Sequence, residues 1–566
     1  MTARKVEMPV LRDGAPPRYP SIFNDVIGPV MRGPSSSHCA AAVRIGRLAR
    51  DLMGSEIGEV LVEFHPNGSL ATTHESQGSD MGLFGGLLGW DATDERLVDS
   101  AEAIREAGIE VEIRITDFPA FHPNTYRITL RNGGAEHRMT ALSTGGGIIQ
   151  VVEIDGVALS IAGDFHETLL FVRGDGGEPH DRENIPSKLL EKLEGGDTSG
   201  VEADQILLHS PGEGPENGSA SVAIVQIKAQ SFPPNESLRE LCRGFAISEI
   251  RTLSPVLPIR SRKGMELPFL TAEGLLVHKR LQDQQVGRDL DLWELAVHYE
   301  SARGGISHEE VLERMADIVG IIERSIEEGL AGTEFGDRIL KAQTGLFKAH
   351  IEGGKLLDAG VLNRIILYVS AIMEVKSSMG VIVAAPTAGS CGALPGSVVG
   401  VGHALGLSTE EMARAMLAAG IIGVFITAGS TFAAEVCGCQ AECGSGSGMA
   451  AAALVTLAGG STEQALGAAS MALQNTLGMI CDPVANRVEV PCLGRNVLAA
   501  SNALASANMA LAGFDAVIPL DEVIQAMDEV GKSLPHELRC TALGGLSVTE
   551  TSKRIQENLD HRSRRG

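Results

Sequence analysis

Ala415-Met-Leu-Ala-Ala-Gly-Ile-Ile-Gly-Val-Phe-Ile-Thr-Ala-Gly-Ser-Thr-Phe-Ala-Ala434 is a run of twenty residues without one ionisable side chain. A segment this long and apolar either spans a bilayer or lies inside a protein. Its Gly and Ala content, and the similar segments around it from Ser377 to Ala512, favour the second reading. Helices that are apolar all round belong in the middle of a bundle. The pattern is helical from about Glu266 to Arg554, beginning with charged helices such as His308 to Glu328. Residues 266–554 are therefore expected to form an all-α domain with a buried central helix.

Upstream, the periodicity changes. Glu59 to His65, Glu110 to Ile115, Thr125 to Leu130 and Gly147 to Glu153 read as strands, and Glu95 to Ala107 as a helix ending at Gly108. This predicts an α+β domain over 21–163. Residues 164–260 have their own order. Glu167 to Arg173 is a strand, Ile185 to Leu193 a helix, Gln205 to Ser210 and Ser221 to Lys228 strands, Glu236 to Phe245 a helix and Ala246 to Ile259 a strand. That βαββαβ order is ferredoxin-like and resembles an ACT-type regulatory module. The fold class is thus multidomain α+β, with a flexible arm over 1–20 and a basic, solvated tail over 555–566.

Composition narrows the function. The chain of 566 residues carries 47 basic against 72 acidic residues, a net charge of −25, and only 4% aromatics. A nucleic-acid binder needs a basic footprint, which is missing. Met1 to Pro20 has no apolar core of a secretory signal, so a cytoplasmic protein with reduced thiols and no membrane span is expected.

Six of the nine cysteines lie between 391 and 492. Three fall in Cys437-Gly-Cys439-Gln-Ala-Glu-Cys443, and two bound Cys481-Asp-Pro-Val-Ala-Asn-Arg-Val-Glu-Val-Pro-Cys492. Thiols at this density suit zinc or an iron–sulfur cluster, or pack as small buried hydrophobes. Spacing alone does not choose among them.

Longer motifs do. Ala385-Pro-Thr-Ala-Gly-Ser-Cys-Gly392, Gly438-Cys-Gln-Ala-Glu442, Cys481-Asp-Pro-Val-Ala485, Val490-Pro-Cys492 with Arg495-Asn496, and Leu538-Arg-Cys-Thr-Ala-Leu-Gly-Gly545 resemble the α-domain motifs of iron–sulfur L-serine dehydratases. Ile27-Gly-Pro-Val-Met-Arg-Gly-Pro-Ser-Ser-Ser-His38, His122-Pro-Asn-Thr125 and the run Gly145 to Gly147 resemble their β-domain. The resemblance covers about 21–160 and 266–552, in a β-then-α order also found in that family. It implies a [4Fe–4S] cluster on Cys439, Cys481 and Cys492, whose intervals of 42 and 11 residues agree with the family pattern. Cys391, Cys437, Cys443 and Cys540 then stand outside the ligand set. It also implies a small amino-acid substrate, a homodimer, and no pyridoxal phosphate.

Losing water from serine requires a Lewis acid for the hydroxyl and a base for the α-proton. The candidate bases are His38 and His122, each otherwise a surface or core histidine. Asp80, in Gly78-Ser-Asp80, either orients a base or caps a helix. Ser35, Ser36 and Ser37 offer hydroxyls and amides to a carboxylate, or cap the helix starting near Ala40. Asn124, Thr387, Arg495 and Asn496 complete the expected substrate contacts. Thr387 sits at a Gly/Pro helix break, while Arg495 and Asn496 equally suit support of the cluster.

The chain departs from the family at three places. Cys39 stands for a threonine, Gln77 for a histidine common before Gly78, and Lys376 for an asparagine. These leave threonine, cysteine or an acidic hydroxy-amino acid as alternative substrates, and a non-catalytic amino-acid sensor as the alternative function.

Overall fold

The computed structural model describes residues 19–173, 189, 202–210, 222–243 and 245–563. The charge-free segment lies largely within the helix Thr409–Gly429, which opens on a capping box between Ser408 and Glu411. From Met412 to Ile426 every residue but Arg414 is buried. Helices Leu292–Gly304, His308–Ala331 and Ser445–Leu457 pack around it. It is the one helix among the described residues long and apolar enough to cross a membrane, and 78% of its apolar window is buried inside the protein. The helix stops at Gly429, and the chain turns before Ala434.

A π-helical turn, Ile22–Val26, inserts against this central helix. Two glycines make room for it. A Cβ on Gly420 would stand 2.6 Å from Ile22 Cγ2, and one on Gly423 would fall inside Val26 Cγ1. Ile22 N donates to Glu300 Oε2 at 2.7 Å, and the Tyr299 hydroxyl donates to Pro20 O at 2.7 Å. The start of the expected N-terminal domain is therefore part of the helical core, which also holds Met31, Cys39 and Ala40.

Strand β1 (Val30–Met31) opens the strand order. Next come β2 (Glu59–Phe64), β3 (Glu110–Ile115), β4 (Thr125–Arg131), β5 (Glu136–Gly145), β6 (Ile148–Ile154) and β7 (Val157–Ile161). These last six form one sheet in the order β3-β2-β4-β5-β6-β7, with only the β2–β3 pair parallel. Helices Ala41–Met53 and Ser79–Leu87 pack tightly on each other: a Cβ on Gly46 would meet Leu83 O at 2.6 Å. The second sheet holds β8 (His166–Arg173), β9 (Gln205–His209), β10 (Val222–Ala229) and β11 (Ile247–Leu253). Its order is β11-β8-β10-β9, antiparallel throughout, with the helix Asn235–Cys242 between β10 and β11. Finally β12 (Ile382–Val383) pairs with β1, Val30 opposite Val383.

The protein is thus mixed α+β, with three sheets and many helices among the described residues. Four expectations need correction or placing. The C-terminal region is not wholly helical, because β12 ties it to β1. Strands β5 and β7 were absent from the sequence reading. The basic segment after 554, expected as a solvated tail, is helical to Ser563. The arm before Tyr19 and, Leu189 apart, the helix Ile185 to Leu193 lie outside the described residues.

Candidate active site

The six-stranded domain and the helical domain meet at a small buried cavity. Ser35 and Gln77 line it from the N-terminal side, and Gly389, Glu435 and Glu442 from the helical side. Cys481, Cys492 and Cys540 add three thiols to the lining.

The serine triplet leads into the helix Ala41–Met53 through a π-helical turn, Ser36–Ala40. Ser35 makes no capping bond to the backbone. Its hydroxyl instead pairs with His38 Nδ1 at 3.0 Å. Ser36 Oγ accepts from Ala388 N at 3.1 Å, and Ser37 O accepts from Ser143 Oγ at 2.7 Å. The triplet therefore stitches three segments together.

His38 is fully buried, with Nε2 2.8 Å from Thr73 Oγ1 and Nδ1 3.7 Å from Glu435 Oε1. Burial, then the neighbouring His74, pushes its pKa down to about 3, so the ring is neutral at neutral pH. Asp80, in the first turn of the helix Ser79–Leu87, binds His74 Nδ1 at 2.8 and 2.9 Å. Burial pulls His74 down, but the hydrogen bond and charge of Asp80, with Glu75, outweigh it and hold the pKa above its ordinary value. Gln77, standing where a histidine was expected, donates to Asn486 Oδ1 at 3.0 Å and reaches Cys540 Sγ at 3.7 Å.

His122 turns inward on its own loop. Its Nδ1 accepts from Asn124 N at 3.1 Å, its carbonyl accepts from Thr125 Oγ1 at 2.7 Å, and burial pushes its pKa down to about 4. That turn fixes Asn124 at the start of β4. Asn124 is wholly buried, and its side-chain amide faces Glu435 without closing a hydrogen bond of regular geometry.

On the helical side, Thr387 Oγ1 accepts from Ser390 N at 3.2 Å and donates to Glu442 Oε1 at 2.7 Å. Burial, then the charges of Cys439 and Glu435, pushes Glu442 up to about 8. Arg495 donates to Asp482 Oδ1 at 2.7 Å. Asn496 Oδ1 accepts from Gly392 N and Ala393 N at 3.1 and 3.0 Å, while its Nδ2 donates to Gly389 O and Cys492 O, both at 2.8 Å. Both side chains, expected as substrate contacts, spend these hydrogen bonds joining the cysteine-bearing segments. Lys376 is buried behind them, its Nζ donating to Val488 O.

Cys439, Cys443, Cys481 and Cys540 share one buried cluster, and Cys492 lies within electrostatic reach of Cys439. All are free thiols. Cys439 is drawn below its ordinary pKa by its hydrogen bond with Cys443, against burial, with Arg495 assisting. Among the described residues, no three His, Cys, Asp or Glu side chains stand in a ready metal-binding group. The donor set still fits a thiolate-bound cluster in kind. It consists of buried soft donors, with Arg495 and Lys376 close enough to offset thiolate charge. Cys391 packs against Met373 Sδ at 3.8 Å, and Cys437 faces Asp528, whose charge adds to burial in pushing it up to about 11. Cys443 and Cys540, expected outside the ligand set, touch Cys439 and Cys481 respectively.

Sequence reasoning missed His74, Glu435 and Glu442 as site residues. A signal for the glutamates was present: they are the only charged residues between Ala415 and Thr462. A carboxylate retained where every other charge is excluded needs a partner or a task.

Comparison with known proteins gives the family. Residues 287–547 match the family model of the serine dehydratase alpha chain. The chain is 39% identical over 251 residues to the probable L-serine dehydratase alpha chain of Bacillus subtilis, covering 44% of this chain and 84% of that one. It is 38% identical over 275 residues to the L-serine dehydratase alpha chain of Peptoniphilus asaccharolyticus, covering 48% and 94%. It is also 43% identical over 158 residues to the probable beta chain from Bacillus subtilis, covering 28% and 70%. Fold, cavity and relatives together define an enzyme, a carbon–nitrogen lyase. The chain belongs to the iron–sulfur-dependent L-serine dehydratase family, with β-type and α-type regions joined in one polypeptide.

Proposed function

We propose that this chain dehydrates and deaminates L-serine to pyruvate and ammonia. One observation carries the reading: a single buried cavity is lined by thiols and carboxylates on one side, and backed by a neutral imidazole on the other. Cys439, Cys481 and Cys492 would hold a [4Fe–4S] cluster, which when bound supplies a Lewis acid for the β-hydroxyl.

The chain's own residues account for the proton transfers. A general base must be unprotonated, and burial keeps His38 so. Ser35 and Thr73 fix the plane of its ring. Glu435 Oε1, 3.7 Å from Nδ1, stabilises the imidazolium formed when the α-proton arrives. Of the two candidate bases, His38 is preferred because its Nδ1 faces Ser35 and Glu435, which line the cavity, whereas His122 turns in on its own loop. Glu442, held by Thr387, keeps a proton on its carboxyl at neutral pH and supplies it to the departing hydroxide. The enamine left behind becomes an imine and hydrolyses without a Schiff-base lysine or pyridoxal phosphate. Arg495 and Asn496 support the cysteine segments, and Ser35 and Asn124 contact the substrate.

Three further proposals accompany this one. The enzyme acts in the cytoplasm and as a homodimer. The four-stranded module is ACT-like and regulatory, a reading supported by its antiparallel order β11-β8-β10-β9.

Anaerobic purification followed by a substrate screen tests the main proposal. Equimolar pyruvate and ammonia from L-serine, with iron and sulfide in the protein, is the expected result. Preferred turnover of threonine, cysteine or an acidic hydroxy-amino acid contradicts the substrate, and binding without turnover contradicts the activity.

A further inference from the structure

We infer that Glu435, with Asn124 facing it, forms the subsite that takes the α-ammonium group of the substrate. The inference rests on the amino-acid substrate proposed above, but it gives the second oxygen of Glu435 a substrate contact which that reading does not supply.

Three observations carry it. Glu435 lines the cavity although only 7% of its surface is exposed. Its Oε2 closes no hydrogen bond of regular geometry, and the wholly buried Asn124, whose amide faces the carboxylate, closes none either. No cation answers the carboxylate. Among the described residues, the one nitrogen within ion-pair range is His38 Nδ1, at 3.7 Å on the opposite oxygen, Oε1. The cations beside the thiols are committed elsewhere, Arg495 to Asp482 and Lys376 to Val488 O.

Buried polar atoms are nearly always paired, so an unanswered carboxylate oxygen on a residue that lines a cavity marks a ligand site. The ligand group must bring hydrogen-bond donors and a positive charge to Glu435 Oε2. An ammonium has three donors and no acceptor, and meets both demands. Burial leaves the Glu435 carboxyl above its ordinary pKa, and a cation beside it reverses that shift. A hydroxy acid lacking the amino group leaves the carboxylate buried and unanswered. The site therefore discriminates for amino acids by the penalty on their des-amino analogues.

The test measures binding of L-alanine and propionate to the anaerobic holoenzyme by calorimetry. The two differ in the ammonium group, and neither has a hydroxyl to lose. Wild-type protein binds L-alanine at least about tenfold tighter than propionate. In Glu435→Gln the two affinities come within about twofold of each other, entirely through loss on L-alanine. In Glu435→Asp, which keeps the charge one methylene further back, part of the preference returns; it also serves as the test variant if the glutamine protein is insoluble. A wild-type enzyme without the preference, or a glutamine variant that retains it, overturns the inference, as does equal weakening of both ligands. Turnover of L-serine by the wild type, measured in parallel, reports on the proposed activity alone.

Discussion

The helical wall of the cavity contributes Glu435, Glu442, Cys481 and Cys492; the N-terminal wall contributes Ser35 and Gln77, with His38 behind them. The first wall is made of acids and thiols, groups that bind metals or cations. The second is neutral and works through hydroxyls, an amide and an uncharged ring. The supports differ as well. Asn496 and the Arg495–Asp482 pair bind the cysteine segments to adjacent helices. The serine triplet is hung from single hydroxyl bonds reaching Ala388 and Ser143. The walls divide the labour: the helical side holds what is bound and gives the leaving group its proton from Glu442, and the N-terminal side takes the α-proton on His38.

The largest expected effect separates the walls outright. Cys481→Ser lowers pyruvate formation at least about a thousandfold and removes the visible absorption of the cluster, while circular dichroism stays native. His38→Ala acts on the other wall. Its kcat falls about a hundredfold or more with wild-type iron content, so loss of iron along with activity breaks the proposed division. Arg495→Ala sharpens it: iron is stripped by a chelator about ten to a hundred times faster, while the intact fraction keeps its KM.

The smallest effect is on stability. Folded His38 titrates at about 3 rather than the ordinary 6.5. The unfolded chain therefore binds one more proton between those values, and stability falls as pH drops through that window. The slope due to this residue is at most about 1.4 kcal/mol per pH unit. In His38→Asn the urea midpoint depends less steeply on pH between 6.5 and 4, and an unchanged slope contradicts the burial argument.

The two walls were not equally legible. The cysteine motifs and the buried helix could be read because each rests on a dense local pattern: closely placed thiols, and a run without charge. Strand β5 was hidden because the residues alternating inward include His137 as well as Met139 and Ala141, so polarity did not alternate cleanly. The segment Ile22–Val26 reads as the head of one domain but packs in another, an outcome decided by Gly420 and Gly423 four hundred residues away. Asp80 suggested a partner base, yet His74 was found only through the turn that brings it back onto the carboxylate. Glu435 and Glu442 were visible as lone charges, but their task depends on contacts far apart in sequence, Glu435 with His38 across the domain boundary and Glu442 with Thr387 within the helical domain, that no local pattern encodes.

The central claim is that Cys439, Cys481 and Cys492 converge on one inorganic cofactor beside a proton-handling wall. The most direct measurement is iron and sulfide per chain after anaerobic reconstitution, for the wild type and for the variant with all three cysteines changed to serine. The account predicts about four of each in the wild type and essentially none in the variant. Equal loading of the two proteins, or a wild type that takes up zinc in place of iron and sulfide, contradicts it.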